Sequence, residues 1–486
     1  MTKRHIRIYF SDIFGVSSKK VTDYGAFNIS LINDLPLFVD PFLLFNSTNP
    51  KYNELHAEII KYMIFLKEKS KLNLLPGLVK TWYHFPEVKE NWLGFSKVGN
   101  DGRGLGPKFA RVLKSNLTSI FSNFGEETET GTQLGKLTLI KSGVGRDNIS
   151  DFTCNLIRGF LAEYTEKFAA DNIDTSLLHT FAVPKSSFNY QTQTWSSKQY
   201  KLPRYGNQFV LLTPIDILTK DEAWISHKGF VEDFSGILNS VPNEQLRDQM
   251  SMYMAKVLPT TPTKPEYEEA VEKVARKYPA LMDYYIKQQE ADSEGATTTS
   301  AEKVQAAQEL FEIHLRRLIT LLDKTAFYET GHSSYLEGLN RVNFLKHVIE
   351  NQDGYKLFYV KGKPISRESD LQIMFKLTWF ASKFSADAEV NNGRGPADFM
   401  ISYGNADKSI IEFKLAKSSS LEKNILKQAE IYATASGSKN PPIKVILYFN
   451  LRELQKVQLL LGKHNLLNNN SIVLIDAQPK SSASKT

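Results

Sequence analysis

Two short runs, Gly393-Arg394-Gly395-Pro396-Ala397-Asp398-Phe399 and Ile410-Ile411-Glu412-Phe413-Lys414-Leu415, constrain this chain more than anything else in it. From Pro396 to Tyr403, and again from Lys408 to Ala416, apolar residues alternate with others at period two, the mark of half-buried strands. Ala397, Phe399, Ile401 and Tyr403 are the apolar set of the first strand; Ile411, Phe413 and Leu415 are that of the second. Between them, Gly404-Asn405-Ala406-Asp407 is turn chemistry. Reversal near Asn405 sets Asp398 opposite Glu412 to within about one residue. Because side chains alternate faces along a strand, Asp398, Glu412 and Lys414 are expected together on the face away from the core. Two carboxylates held that close repel and raise one pKa unless a cation sits between them. All-oxygen ligands favour Mg2+ or Mn2+ in that place. The plainer alternative is an acid–lysine pair decorating a solvated strand.

The flanking pattern is ordered. A helix from about Glu368 to Phe384 precedes a short strand at Ala388–Asn391 and the two strands above. A helix from about Ser420 to Ala435 and the apolar strand Ile443–Phe449 follow, giving α-β-β-β-α-β. A further helix, Leu451–Gly462, and strand, Ile472–Ile475, extend it. Motif and order together resemble the PD-(D/E)xK nuclease superfamily, the restriction-endonuclease-like fold, over the last third of the chain. The resemblance implies an α/β fold with a restriction-endonuclease-like αβββαβ core and a Mg2+-dependent endonuclease. In it, Asp398, Glu412 and the backbone carbonyl of Phe413 ligate the metal, and Lys414 orients or deprotonates the attacking water. It also implies a glutamate from the first helix near the metal, for which Glu368 is preferred to Asp370. Both acids lie in a first turn that the helix dipole favours in any case.

Leu421, Ile425, Gln428 and Tyr432 form one stripe at helical spacing. Many superfamily relatives carry a similar Gln-x-x-x-Tyr near the metal, so Gln428 joins the candidate catalytic set. A core glutamine bonded to backbone is the alternative. Arg394, Lys417 and Tyr432 are candidate nucleic-acid contacts, Arg394 with a solvated turn arginine as its alternative. Ala397 separates Pro396 from Asp398, a departure from the literal motif at a position that varies among relatives.

The net charge of +7 is localised. Residues Tyr335 to Thr486 hold 21 Lys/Arg against 14 Asp/Glu, and the rest holds 39 of each sign. The whole excess lies with the motif, which points to nucleic acid; the resemblance is what favours DNA. At 486 residues two or three domains are expected. One cysteine, Cys154, excludes an intramolecular disulfide and fits a reducing cytosol. No signal peptide is read at Met1–His5, which leads into a strand-like Ile6–Phe10, and the apolar run Leu35–Phe45 is too short to span a membrane. A cytoplasmic protein with no membrane partner is expected.

The expected divisions are a mixed α/β region over 1–289, a polar linker over 290–302, and an amphipathic connecting helix over 303–334. The motif-bearing domain follows over 335–477, then a disordered tail over 478–486. In the first region, helices are expected at Glu54–Lys67, Phe152–Phe168, Asn243–Val257 and Tyr267–Tyr278, strands at Leu137–Ile140 and Phe209–Leu212, and a strand end at Asp40-Pro41. Gly99–Lys108 lacks the Gly-Lys-Ser/Thr ending of a phosphate loop and reads as a flexible loop. Gly143–Asp147 reads as a turn, and the histidines show no zinc spacing. With Ile149–Thr153 and Val210–Pro214, the wider chain resembles uncharacterised bacterial proteins in which a large N-terminal region precedes such a nuclease core. Similar proteins act in defence against phage or foreign DNA. The N-terminal region is then expected to sense or gate, and to offer a surface for a protein partner or a homo-oligomer. The rival reading is a non-catalytic nucleic-acid-binding or partner-docking subunit.

Overall fold

The computed structural model describes residues 7–94, 146–220, 224–329, 331, 333–381, 384–391, 396–403, 407–428, 438 and 440–480. The chain is mixed α/β. Among the described residues, those from Tyr9 to Val304 form one compact unit and those from Gln305 onward, with Arg7 and Ile8, form the other.

In the first unit, β1 (Phe38–Val39) ends at Asp40 as expected, because Asp40 Oδ1 accepts Phe42 N and caps the helix Pro41–Phe45. The expected strand Ile6–Phe10 gives way to a helix, Phe10–Phe14, and Tyr9 pairs with Ser30 only as an isolated bridge. Asp12 takes the Tyr9 amide at 2.9 Å, so a local carboxylate satisfies the donor that a ladder would have used. The helix read at Glu54–Lys67 spans Pro50–Ser70. The one read at Phe152–Phe168 is two, Arg146–Leu156 and Arg158–Asn172, broken at Ile157.

A long ribbon follows: β2 (Leu178–Asn189) and β3 (Thr194–Tyr205) pair antiparallel, and β4 (Gln208–Phe209) adds two residues. The strand expected over Phe209–Leu212 ends early. Val210 N donates to Pro203 O, Leu211 N to Glu90 O and Leu212 N to Thr165 Oγ1, three acceptors on three elements rather than one ladder. β5 (Leu218–Thr219) pairs with β1.

Helices His227–Glu232, Phe234–Ser240, Glu244–Val257, Lys264–Lys277 and Ala280–Ala291 then build a bundle around Phe230, Val271, Val274 and Tyr285. The polar linker over 290–302 is not there. Ser293–Gln308 is a helix, with Ala296 fully buried in the bundle core and Ser300 buried one turn on. Small side chains at that spacing let a helix lie close on its neighbours, and composition alone reads the same residues as unpacked chain. The connecting helix expected over 303–334 starts earlier and ends sooner. Ser293–Gln308 passes through a π-helical stretch, Glu309–His314, into Leu315–Leu322.

The second unit is organised by one five-stranded sheet in the spatial order Ile472–Asp476, Ile443–Tyr448, Asp407–Leu415, Pro396–Tyr403, Ser385–Asn391. The short hairpin β6 (Tyr359–Val360) and β7 (Lys363–Pro364) precedes it. A helix, Glu368–Leu377, leads to β8 (Ser385–Asn391), β9 (Pro396–Tyr403) and β10 (Asp407–Leu415), paired antiparallel. The helical stretch Leu421–Gln428 follows β10 in the chain, β11 (Ile443–Tyr448) lies parallel to β10, and β12 (Ile472–Asp476) is parallel to β11.

One sheet face carries Phe399, Ile401, Ile411 and Phe413, with the Phe375 ring packed edge-on to Phe399 and tilted against Phe413, centroids 5.5 and 4.5 Å away. The helix Ser334–Asn351 closes that face. It comes close because Gly338 lacks a Cβ; one would stand 3.1 Å from Ile411 Cδ1. On the other face a second layer gathers Ala416, Leu421, Ile425, Ile446, Val457 and Leu461.

Candidate functional site

β9 and β10 pair Tyr403 with Asp407 and Phe399 with Ile411, and the next step of that register sets Asp398 against Glu412. The reversal itself, Gly404–Ala406, lies outside the described residues. Asp398, Glu412 and Lys414 share one face, as expected. That face is not solvated, however, and the reading of it as exposed is corrected: Glu412 is 4 % exposed and Lys414 7 %. β10 is the central strand, and a strand with neighbours on both edges and layers on both faces buries both sets of side chains.

The Lys414 ammonium is the centre of the group. Its Nζ stands 3.1 Å from Asp398 Oδ2, 3.2 Å from Glu412 Oε2 and 3.4 Å from Glu368 Oε2. It also donates to the Phe413 carbonyl at 3.0 Å, which places that carbonyl in the cluster. The backbone holds the acids in turn. Asp398 Oδ2 accepts Phe413 N at 2.6 Å, Glu412 Oε1 accepts Asp398 N at 3.3 Å, and Glu368 Oε1 accepts Leu415 N at 3.4 Å. Glu368 thus reaches the cluster from the first turn of its helix, whereas Asp370 is buried elsewhere on it.

Burial and the neighbouring Asp398 push the Glu412 carboxyl up to about 8, against the pull of Lys414. Burial alone would lower the Lys414 ammonium; Asp398, Glu412 and Glu368 overcome it and hold Lys414 above its ordinary value. A stability prediction follows for protein in EDTA. Glu412 keeps its proton in the folded state to a higher pH than in the unfolded chain. Its favourable contribution is therefore complete below the ordinary glutamate range and is lost as pH rises through about 8. Thermal melts from acid to mildly alkaline pH should show Tm falling over that window, and Glu412→Gln should flatten the fall.

Among the described residues, no three His, Cys, Asp or Glu groups converge closely enough to hold a metal ion by themselves. The donor set around Lys414, carboxylate oxygens plus one carbonyl, is nevertheless the hard-oxygen kind that suits Mg2+ or Mn2+.

The other candidates divide. Lys417 is exposed just past β10 and donates to Ile365 O at 3.1 Å. Gln428 is the last described residue of the π-helical stretch Asn424–Gln428, and the rest of the helix expected from Ser420 to Ala435 lies outside the described residues. Arg394 and Tyr432 lie outside the described residues, as do Leu137–Ile140, Gly99–Lys108 and most of Gly143–Asp147. Sequence reasoning misses one residue. Lys444, 9 % exposed, pairs in register with Glu412 and donates to Ile425 O at 2.6 Å. Its signal is a lone lysine inside the apolar run Ile443–Tyr448.

Residues 334–451 match a domain of unknown function (DUF8371), and residues 15–226 match a second (DUF8370). No curated protein and no solved structure matches the chain. Glu368, Asp398, Glu412, Lys414 and Lys444 all fall within the DUF8371 match, which opens at the first residue of the Ser334–Asn351 helix and closes just past β11. Among the described residues, no helix is long and apolar enough to cross a membrane.

Proposed function

We propose that the chain is a divalent-metal-dependent nuclease acting on nucleic acid, DNA by preference. The observation that supports this most is the convergence of Asp398, Glu412 and Glu368 on one buried ammonium at the centre of a mixed sheet. Carboxylates gathered this closely repel one another, and Glu412 stays raised, by burial first and by Asp398 second, against the pull of Lys414. Asp398, Glu412 and the Phe413 carbonyl would hold the metal, which supplies a Lewis acid for the scissile phosphate and an acidified water. Lys414, displaced from the centre but still tethered to β10, would hold that water by a hydrogen bond and stabilise charge on the phosphate oxygens as the bond breaks. Glu368 would take the far side of the water. The excess positive charge from Tyr335 onward would hold the polyanion.

The first unit would direct or restrain cutting. A place in defence against foreign DNA rests on the looser sequence resemblance alone. A second reading is favoured by the central ammonium itself: a self-neutralised ion cluster in a module that binds nucleic acid without turnover. Purified protein incubated with plasmid, single-stranded DNA and RNA, with Mg2+ or with EDTA, separates the two. Cleavage that needs the metal is the expected result; binding of the same substrates without any metal-dependent cutting would leave the second reading standing.

A further inference from the structure

The β2–β3 ribbon in the first unit is a departure from that region's neutral charge. Asp174 and Asp216 are the nearest acids along the chain on either side; between them lie Lys185, Lys198, Lys201 and Arg204 and no Asp or Glu. Each strand is 12 residues, and only two residues of β4 extend the sheet beyond β3, so the ribbon is two-stranded over most of its length. Lys198, Lys201 and Arg204 are exposed, along with Thr180, Ser187, Ser196, Ser197 and Gln199. The tip, Asn189–Thr194, is uncharged and built from amides and hydroxyls. Asn189 Oδ1 ties it by accepting the amides of Gln191 and Thr192, and Trp82 Nε1 anchors it on Gln193 O.

We infer that this ribbon is a second nucleic-acid contact, entering the major groove of a DNA duplex. That groove admits a two-stranded ribbon, with hydroxyls and amides at base edges and cations at the flanking phosphates. The ribbon's rings argue for a duplex over a single strand. Phe188 and Trp195 pack on Tyr62, and Tyr190 packs on Phe65 under the Lys61 ammonium, so these half-buried rings already spend their contacts on neighbours rather than standing open for base stacking. Acids also stand near the ribbon. Glu166 is occupied by the Lys201 amide, Glu58 pairs with Lys61, and Glu163 lies beside Tyr200, toward the ribbon's base. The inference shares with the proposed function only the class of ligand; it concerns a different unit and needs no cutting.

The test uses the full chain in EDTA in an Asp398→Asn background, so that binding alone is read. Affinity for a labelled DNA duplex and for its single strand is measured by anisotropy across salt concentrations. The variant is Lys198→Gln/Lys201→Gln/Arg204→Gln. The control is Lys228→Gln/Lys264→Gln/Lys273→Gln, which removes the same charge from the helical bundle. Each phosphate that the protein no longer neutralises takes about 0.9 from the slope of log affinity against log salt, so the ribbon variant should lose roughly 2 to 3 units of slope on the duplex. The control should lose none, and the single strand should change less than the duplex. An unchanged duplex slope overturns the inference, as does an equal loss in the control or an equal loss on the single strand. A parent protein that binds but never cuts would end the nuclease reading and leave this one intact.

Discussion

Asp398→Asn is expected to abolish metal-dependent cleavage while the protein stays folded. Asparagine keeps an oxygen that can accept the Phe413 amide, now 2.6 Å from Asp398, so β9 and β10 remain tied. What it removes is the charge that would hold a divalent cation beside Glu412. Loss of one such electrostatic contribution costs about 10²–10³-fold in rate, and loss of the metal more. Single-turnover cleavage of plasmid at saturating Mg2+, with a melting curve alongside, is the measurement. Activity within about tenfold of the parent would remove Asp398 from the site.

Lys414→Met is expected to be worse for the fold than replacement of any other member of the cluster. An exposed lysine on a strand could be replaced with little effect, but this one is buried among three carboxylates. Removing one partner of a buried ion cluster leaves uncompensated charge, at a cost of about 3–5 kcal/mol. Urea unfolding at neutral pH should show that loss. Cleavage should be lost as well. A variant as stable as the parent would mean that the ammonium does not hold the cluster together.

The contrast between these two substitutions shows what the sequence carries and what it does not. Period-two alternation and the turn residues place Asp398, Glu412 and Lys414 on one face, because that relation is local to two strands joined by a short reversal. Alternation says nothing about what covers the second face. The parallel strand β11 comes from a later stretch of chain, as does the layer of Leu421, Ile425 and Val457. Glu368 is legible as a first-turn acid, yet its reach to the Leu415 amide is tertiary. Lys444 is visible as an anomaly in an apolar run, but no motif names it. The Ser293–Gln308 helix fails for the opposite reason: Ala296 and Ser300 look like linker in composition, and only the bundle they meet makes them core. Extended stretches such as Val210–Leu212 keep strand-like sequence while spending their amides on unrelated acceptors.

The ammonium encircled by acids has a consequence for how this protein can change over generations. Its charges are mutually dependent, so the effect of losing any one depends on which others remain. A lineage that dispersed the cluster would find loss of the lysine the costliest first step, at about 3–5 kcal/mol. Decay would have to begin with a carboxylate, Asp398 or Glu368, and reach Lys414 last. Natural variants that keep Lys414 after losing an acid should therefore outnumber those that keep all three acids without it: the order of loss is written into the packing.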